Sequence, residues 1–318
     1  MNEVLVLLPL REEQKARLEA RRQDCRFQYC APETVTHAQV QGADIILGCP
    51  APASIAASPR LKLLQLASSG ADAYVKPGVL SPGTVLCSAT GAYGQAVAEH
   101  AFAMTWCLLK KLQLYRDQQA QGLWVDRGTV GTLTGARVVI VGLGDIGLYY
   151  ARLAHAVGAT VVGVKRRPSA LPEGVDELCL SQELDAALSQ ADVVCSFLPG
   201  TEATYHVFDD ARFARMKPGA LFINCGRGTA LDAEALCRAL ESGHLAGAGV
   251  DVTEQEPLPP EHPLWRQPNL LLTPHISGWF HLPATLERIF EISQHNLDAF
   301  LDGGALQSEI DRATGYKK

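Results

Sequence analysis

Residues 138–147 narrow the fold of this chain more than any other segment. An apolar run is followed by glycines at 142, 144 and 147, and then by a stretch with helical apolar spacing. This pattern predicts a strand, a tight turn and a helix N-terminus. Gly142 permits the turn, Gly144 lets a pyrophosphate approach the backbone, and Gly147 lets the helix pack close to its strand. An ordinary tight turn is the alternative, but the flanking pattern supplies the required context, so we predict that the chain binds a dinucleotide.

The end of the second predicted strand, residues 160–164, indicates which dinucleotide binds. NAD-binding chains place an acidic residue about 20 positions past the glycines, where it bonds the ribose hydroxyls. This chain has Lys165, Arg166 and Arg167 there. Such cations pair with a 2′-phosphate, which a carboxylate would repel. A solvated basic turn is the alternative; we predict NADP(H) as the preferred cofactor, with NAD(H) as the second choice.

Length and composition limit the number of domains, the kinds of binding partner and the cellular location that we expect. At 318 residues the chain exceeds the length that one hydrophobic core serves, so we expect two domains. A net charge of −6 without a long basic run argues against nucleic acid or an anionic membrane as a partner. The nine cysteines include no C-x-x-C pair and indicate reduced thiols in a cytoplasmic protein, with no metal site. We find no signal peptide and no apolar stretch long enough to span a bilayer.

The first hundred residues alternate short apolar runs with helix-capable stretches, which predicts βαβ units around a parallel sheet. The predicted strands are 4–8, 26–29, 44–47, 61–66 and 84–87. Helical periodicity from Gln95 to Gln119 then predicts one long helix that crosses between two domains.

Six further strands suit a complete doubly wound sheet. They are predicted at 137–141, 160–164, 192–196, 220–223, 246–250 and 269–272. A later helix, from Leu282 to Leu301, is expected to return to the first domain. We therefore predict an α/β protein with a discontinuous, flavodoxin-like substrate domain (1–98 and 283–318) and a Rossmann dinucleotide-binding domain (99–282). The carboxyl ends of both sheets would border a cleft.

Three segments after late strands carry an arginine, a glutamate and a histidine. Arg227 lies between two glycines, Glu254 and Glu256 lie in an acidic loop, and His275 follows Pro274. Taken singly, each has an ordinary structural explanation: an ion pair, a solvated acid, or a histidine bonded to the backbone. Together they suit hydride transfer to a 2-oxo acid. An arginine fork holds the carboxylate, a histidine gives a proton to the carbonyl oxygen, and a carboxylate beside an imidazole orients it and favours its protonated form.

With these motifs the chain resembles the NAD(P)-dependent D-2-hydroxyacid dehydrogenases, the family that includes the glyoxylate/hydroxypyruvate reductases. The likeness covers nearly the whole chain and is strong from Leu133 to Ser277. It implies that Arg227 binds the substrate carboxylate, that His275 is the acid/base and that Glu256 is its partner.

The same resemblance implies further site residues. Ser68, Ser69 and Gly70 would form the substrate loop, and the segment around His100 would begin an interdomain helix that also builds a homodimer interface. Besides the glycines and the basic turn, the residues expected to contact the cofactor are Asp145, Ile146, Leu198, Pro199, Thr204, Cys225, Gly226 and Asp251. Asp251 would meet the nicotinamide carboxamide.

We predict an NADP(H)-preferring 2-hydroxyacid dehydrogenase that works as a 2-oxoacid reductase. Two alternatives stay open: a dehydrogenase of another small anion such as formate, and a dinucleotide-sensing binding protein like the corepressors that share this fold. The full set of catalytic residue types, without extra tails for partner recruitment, favours an enzyme. Trp279 could shape the pocket or pack elsewhere. Five other histidines are expected to be surface or core residues: His100, His155, His206, His244 and His295.

Overall fold

The computed structural model describes residues 1–56 and 58–318 and divides the chain into two compact units. The first unit joins residues 1–93 to residues 279–318, and the second is the continuous segment 94–278. Each unit is built on its own parallel β-sheet. Strands and helices are numbered in chain order.

In the described residues, the sheet of the first unit has five parallel strands. Their order is β2-β1-β3-β4-β5. The strands are β1 (Asn2–Val6), β2 (Cys25–Tyr29), β3 (Ile45–Leu47), β4 (Leu63–Gln65) and β5 (Val85–Cys87). The helices are α1 (Glu12–Arg21), α2 (His37–Gly42), α3 (Pro52–Ile55) and α10 (Pro283–Asp302). The order is that of flavodoxin-like sheets, which confirms the predicted fold class. The inner strands carry nearly continuous buried apolar residues, such as Ile46 and Leu64, as parallel sheets do.

Helix α10 returns to the first unit. The buried Asn296 donates from Nδ2 to Gln65 Oε1 on β4 at 2.6 Å. The Glu287 carboxylate accepts hydrogen bonds from Arg11 at 3.0 Å and from Arg17 at 2.9 Å, both from the N-terminal part of the same unit. The first unit is therefore assembled from two separate stretches of the chain.

The second unit contains seven parallel strands in its described residues, in the order β12-β11-β10-β9-β6-β7-β8. The strands are β6 (Arg137–Val141), β7 (Thr160–Lys165), β8 (Glu177–Leu180), β9 (Val193–Ser196), β10 (Leu221–Asn224), β11 (Gly247–Val250) and β12 (Leu270–Leu272). The helices are α4 (Gly94–Leu109), α5 (Leu112–Ala120), α6 (Asp145–Ala156), α7 (Leu184–Leu188), α8 (Asp210–Arg215) and α9 (Ala233–Glu241). From β8 to β11 this is the Rossmann order, extended by β12, and it reverses between β6 and β9, where ligands bind in such sheets.

The prediction of six strands in this unit missed β8. In the part of the chain that the structure describes, this edge strand pairs only with β7, and none of its residues is buried. Its apolar signal is weak because an edge strand covers little of the core.

The single helix predicted from Gln95 to Gln119 is also wrong, because the chain forms two helices there. Lys111 takes a left-handed conformation with φ 56° and separates α4 from α5. The ammonium groups beside this break bind the following loop: Lys110 Nζ donates to Gly131 O at 2.7 Å, and Lys111 Nζ donates to Arg127 O at 2.6 Å. These contacts stabilise the break from outside the helical segment.

Helix α4 belongs entirely to the second unit. It packs on α6, β10 and β11. The predicted boundary at 98/99 falls inside this helix, and the later one at 282/283 falls just before α10, whereas the structure divides the chain at 93/94 and 278/279. Among the described residues, no helix is both long and apolar enough to cross a membrane.

Candidate active site

The glycine turn after β6 is built from close backbone contacts. Gly142 has φ +99° and donates from its N–H to Val164 O at 3.2 Å. A Cβ at this position would lie 2.8 Å from Phe197 O. A Cβ at Gly147 would overlap the carbonyl oxygen of Gly142. Both glycines are therefore needed to form the turn itself.

Gly144 has a different environment. It is the N-cap of α6, and a Cβ built there would meet no other atom of the chain within 4 Å. The N–H groups of Asp145 and Ile146 begin the helix behind it, where the backbone dipole favours an anion. Open space before a helix N-terminus fits the pyrophosphate of a dinucleotide, and a side chain at Gly144 would occupy it.

Alanine substitutions separate these two roles. We expect Gly144→Ala to weaken NADPH binding on the order of 10-fold, since the added methyl excludes the pyrophosphate. The free energy of unfolding should change by only about 1 kcal/mol or less. Gly142→Ala should instead destabilise the fold by at least about 1–3 kcal/mol because of its positive φ. Cofactor titration and urea unfolding of both variants make the comparison. Unchanged NADPH affinity in Gly144→Ala would contradict the assignment.

The basic turn follows β7 directly. Lys165 is the last residue of β7, and its Nζ donates to Ser169 Oγ at 2.7 Å. Arg166 and Arg167 are exposed. Because β7 is the neighbour of β6, this cluster lies at the carboxyl end of the strand beside the glycine turn. Its position suits the ribose end of a dinucleotide.

The loop after β9 closes on itself and on the turn after β10. Thr204 is buried, and its hydroxyl donates to Pro199 O at 2.6 Å. A Cβ at Gly226 would lie 2.6 Å from the Leu198 nitrogen. The Thr204 hydroxyl therefore shapes the loop, and its contact with a cofactor stays a prediction.

Arg227 lies in a turn fixed by Asn224, the last residue of β10. The buried Asn224 side chain accepts from Gly226 N at 3.2 Å and donates to Arg227 O at 3.1 Å. Arg227 is half-buried, and Nη1 donates to Gly226 O at 2.9 Å.

Burial, reinforced by the nearby Asp251 carboxylate, raises the pKa of the Cys225 thiol, so this thiol stays neutral.

Gly228 joins the arginine turn to the acidic loop that follows β11. A Cβ at Gly228 would overlap the carbonyl carbon of Thr253 and crowd Glu254. The two backbones are therefore in direct contact, and glycine is the residue that permits it. The guanidinium of Arg227 and the carboxylate of Glu256 thus extend from adjoining loops.

Glu256 and His275 form a hydrogen-bonded pair. Nδ1 of His275 lies 2.8 Å from Glu256 Oε2, and the other carboxylate oxygen accepts from Thr253 N at 3.0 Å. Both side chains are partly exposed, at 44% for His275 and 39% for Glu256. With Nδ1 bonded to the carboxylate, the proton that an acid/base histidine exchanges is the one on Nε2.

The Asp251 carboxylate holds the segment that carries His275. Its side chain has no exposed surface. Oδ1 accepts from Thr273 Oγ1 at 2.5 Å and from Ile276 N at 3.0 Å, and Oδ2 accepts from Ser277 N at 3.1 Å. Contact between Asp251 and a nicotinamide carboxamide stays a prediction.

The predicted substrate loop belongs to the first unit and follows β4. Ser68 Oγ donates to Gly70 O at 2.7 Å, and Tyr93 Oη donates to Ala67 O at 2.6 Å. These bonds give residues 67–70, Ser69 among them, a defined shape. Their contact with a substrate carboxylate stays a prediction, as does any role of Trp279, which has φ 44°.

Sequence reasoning missed one cluster at this site. Tyr205 Oη donates to Glu254 Oε1 at 3.1 Å, His206 Nε2 donates to Glu254 Oε2 at 2.9 Å, and the two rings stack with centroids 4.0 Å apart. The cluster ties the loop after β9 to the acidic loop. No short motif contains it, because 48 residues separate His206 from Glu254. Nowhere in the described residues do three or more His, Cys, Asp or Glu side chains group in a way that could hold a metal ion.

The chain is similar to known proteins in sequence and in fold. A family model described as "D-isomer specific 2-hydroxyacid dehydrogenase, NAD binding domain" matches residues 102–277. Glyoxylate/hydroxypyruvate reductase B of Citrobacter koseri is 33% identical over 88% of this chain and 87% of its own length.

Two solved structures cover almost the entire chain. A D-isomer specific 2-hydroxyacid dehydrogenase family protein from Aeromonas salmonicida is 32% identical with a TM-score of 0.84, over 98% of this chain and 99% of that one. A D-isomer specific 2-hydroxyacid dehydrogenase from Xanthobacter autotrophicus Py2, solved with NADPH and MES, is 27% identical with a TM-score of 0.83, over 99% of each chain.

Proposed function

The chain belongs to the D-isomer specific 2-hydroxyacid dehydrogenases, which are NAD(P)-dependent oxidoreductases, and on this premise we propose that it is an NADP(H)-preferring reductase of small 2-oxo acids. The observation that carries the proposal is the bonded pair of His275 and Glu256, next to the loop of Arg227. An arginine, an acid/base histidine and its carboxylate are the groups that this reduction needs.

Each group has one task in the reaction. The Arg227 fork holds the substrate carboxylate and polarises the adjacent ketone. When bound, the reduced nicotinamide supplies the hydride that bonds to the carbonyl carbon. His275 gives its Nε2 proton to the carbonyl oxygen, so that a ketone, a hydride and a proton yield the alcohol. The Glu256 carboxylate keeps the ring oriented and stabilises its cationic form before transfer.

A substrate panel tests this proposal. We would follow the loss of NADPH or NADH absorbance with glyoxylate, hydroxypyruvate, pyruvate, phenylpyruvate and branched 2-oxo acids. Turnover supports the reductase, and the rank order reports the size of the pocket. Tight cofactor binding without turnover would favour the dinucleotide-sensing alternative. In a separate assay with formate and NADP⁺ or NAD⁺, a gain of absorbance without any 2-oxo acid turnover would favour the other dehydrogenase.

The preference for NADP(H) rests on Lys165, Arg166 and Arg167 at the end of β7. The NADPH bound in the Xanthobacter structure agrees with it. We expect the double variant Lys165→Asp/Arg166→Glu to weaken NADPH binding about 10–100-fold, since a charge-assisted hydrogen bond contributes ~1.5–3 kcal/mol. NADH affinity should change much less, because NADH lacks the phosphate. Arg116→Glu/Arg266→Glu, at two exposed positions of the same unit, makes the same change of four charge units and is the control. Equal losses for both cofactors would contradict the proposal.

We also propose that the enzyme is a homodimer. The loop after α5 exposes adjacent apolar residues: Trp124 is fully exposed, and Leu123 and Val125 are about half exposed. A contiguous apolar patch of this kind marks an interface. Light scattering should give twice the 34.2 kDa of one chain, and Trp124→Ser should lower that mass. A wild-type monomer would contradict the assignment.

The nine free thiols suit a cytoplasmic location.

A further inference from the structure

A hydrogen-bonded chain runs from helix α4 to the segment that carries His275. His100 lies on α4, and its Nε2 is 3.1 Å from Thr273 Oγ1 and 3.8 Å from Asp251 Oδ1. Its side chain is 24% exposed, whereas the Asp251 side chain has no exposed surface. All three residues belong to the second unit.

The directions of these hydrogen bonds follow from the number of protons. The Thr273 hydroxyl has one proton, which it donates to Asp251 Oδ1, since a carboxylate only accepts. Because this proton is used, Thr273 Oγ1 must accept the hydrogen bond from His100, and His100 therefore carries a proton on Nε2. The Asp251 carboxylate is buried away from water and depends on Thr273, Ile276 and Ser277 as hydrogen-bond donors.

His275 lies inside the segment that this carboxylate holds. Its backbone has φ 51°, a conformation that neighbouring contacts must maintain, and its N–H donates to Asp251 O at 2.7 Å. The residues that bond the Asp251 carboxylate lie on both sides of it. Without the His100 donor, the Thr273 oxygen would lose the hydrogen bond that ties it to α4, and the segment would lose one of its anchors.

We propose that His100 is a positioning residue for the acid/base histidine. It acts through Thr273 and Asp251 and touches neither substrate nor cofactor in this role. The proposal rests on the proposed function, because it assigns His100 a task in the chemistry of His275. It gives His100 a role beyond the expectation that it is an ordinary surface or core histidine.

Paired substitutions test the donor in the kinetics. His100→Phe keeps a ring but removes the N–H, and should lower kcat about 10–100-fold with little change in the KM for NADPH, as a misplaced catalytic group does. His100→Gln keeps an N–H near the position of Nε2 and should restore kcat to within about threefold of wild type. His155→Phe, on the exposed end of α6, is the matched control. If His100→Gln loses as much as His100→Phe, the proposal is overturned.

Amide exchange tests positioning without any turnover. In His100→Phe the N–H groups of Ile276 and Ser277 should exchange on the order of 10-fold faster, and in His100→Gln at nearly the wild-type rate. Thr273→Val should reproduce the His100→Phe result, and the two changes together should add little more. Unchanged exchange in both single variants would overturn the proposal. Wild-type protein that reduces no 2-oxo acid would instead overturn the proposed function and leave the exchange result meaningful.

Discussion

His275→Ala is expected to lower kcat for 2-oxo acid reduction by roughly 10²–10⁴-fold, the usual contribution of a positioned general acid. The alkoxide that forms as hydride arrives would then take its proton from water. NADPH affinity should stay nearly intact, because the glycine turn and the basic turn are elsewhere in the unit. Steady-state kinetics together with a cofactor titration give both numbers.

The control for this change is His155→Ala, which removes an exposed histidine of α6 in the same unit. Glu256→Gln should lower kcat in the same direction, because a neutral amide orients the ring without stabilising its cationic form. If NADPH binding fell while turnover survived in His275→Ala, the acid/base role would be wrong.

Arg227→Gln is expected to lower kcat/KM by about 10²–10⁴-fold, since a guanidinium fork makes two charge-assisted bonds of ~1.5–3 kcal/mol each to a carboxylate. Arg227→Lys should recover only part of this loss, because an ammonium keeps the charge and loses the fork. Activity over a range of 2-oxo acid concentrations, at saturating NADPH, measures the effect.

The sharper comparison uses two substrates that differ only in the carboxylate. Pyruvate should lose the full factor in Arg227→Gln, whereas pyruvamide, a poor substrate of the wild-type enzyme, should lose far less. An equal loss for both would show that Arg227 supports the fold of its turn rather than the substrate. Urea unfolding of the variant checks that turn directly.

Local patterns were enough to predict most of the fold. The glycine turn, the returning helix α10 and the parallel strands all have strong periodic or turn signals. Strand β8 lacks such a signal because none of its residues is buried at the edge of the sheet. The break at Lys111 lacks one too, since lysine is a good helix former and the contacts that hold the break come from Arg127 and Gly131.

Some residues of the candidate site could also be predicted from the sequence, and others could not. Arg227, Glu256 and His275 each follow a strand, and their residue types indicated the chemistry. The pairing of Glu256 with His275 came from the family resemblance, and the structure contains that hydrogen-bonded pair. His100 gave no signal, because its partner Thr273 is 173 residues further along the chain. Asp251 was singled out for a ligand contact, yet its burial and its three donors are properties of the folded segment that no local pattern carries.

The interrupted first unit sets an order of completion during protein synthesis. The ribosome releases residues 1–93 first, and these contain all five strands of their sheet, but α10, whose Asn296 bonds the buried Gln65, is made last. The second unit, 94–278, is continuous and can close its sheet while those earlier residues are still unfinished. A nascent chain halted before α10 therefore carries an N-terminal unit without its last helix, and the apolar surface that Ile289, Phe290 and Leu297 of α10 cover is exposed, the kind of surface that chaperones recognise.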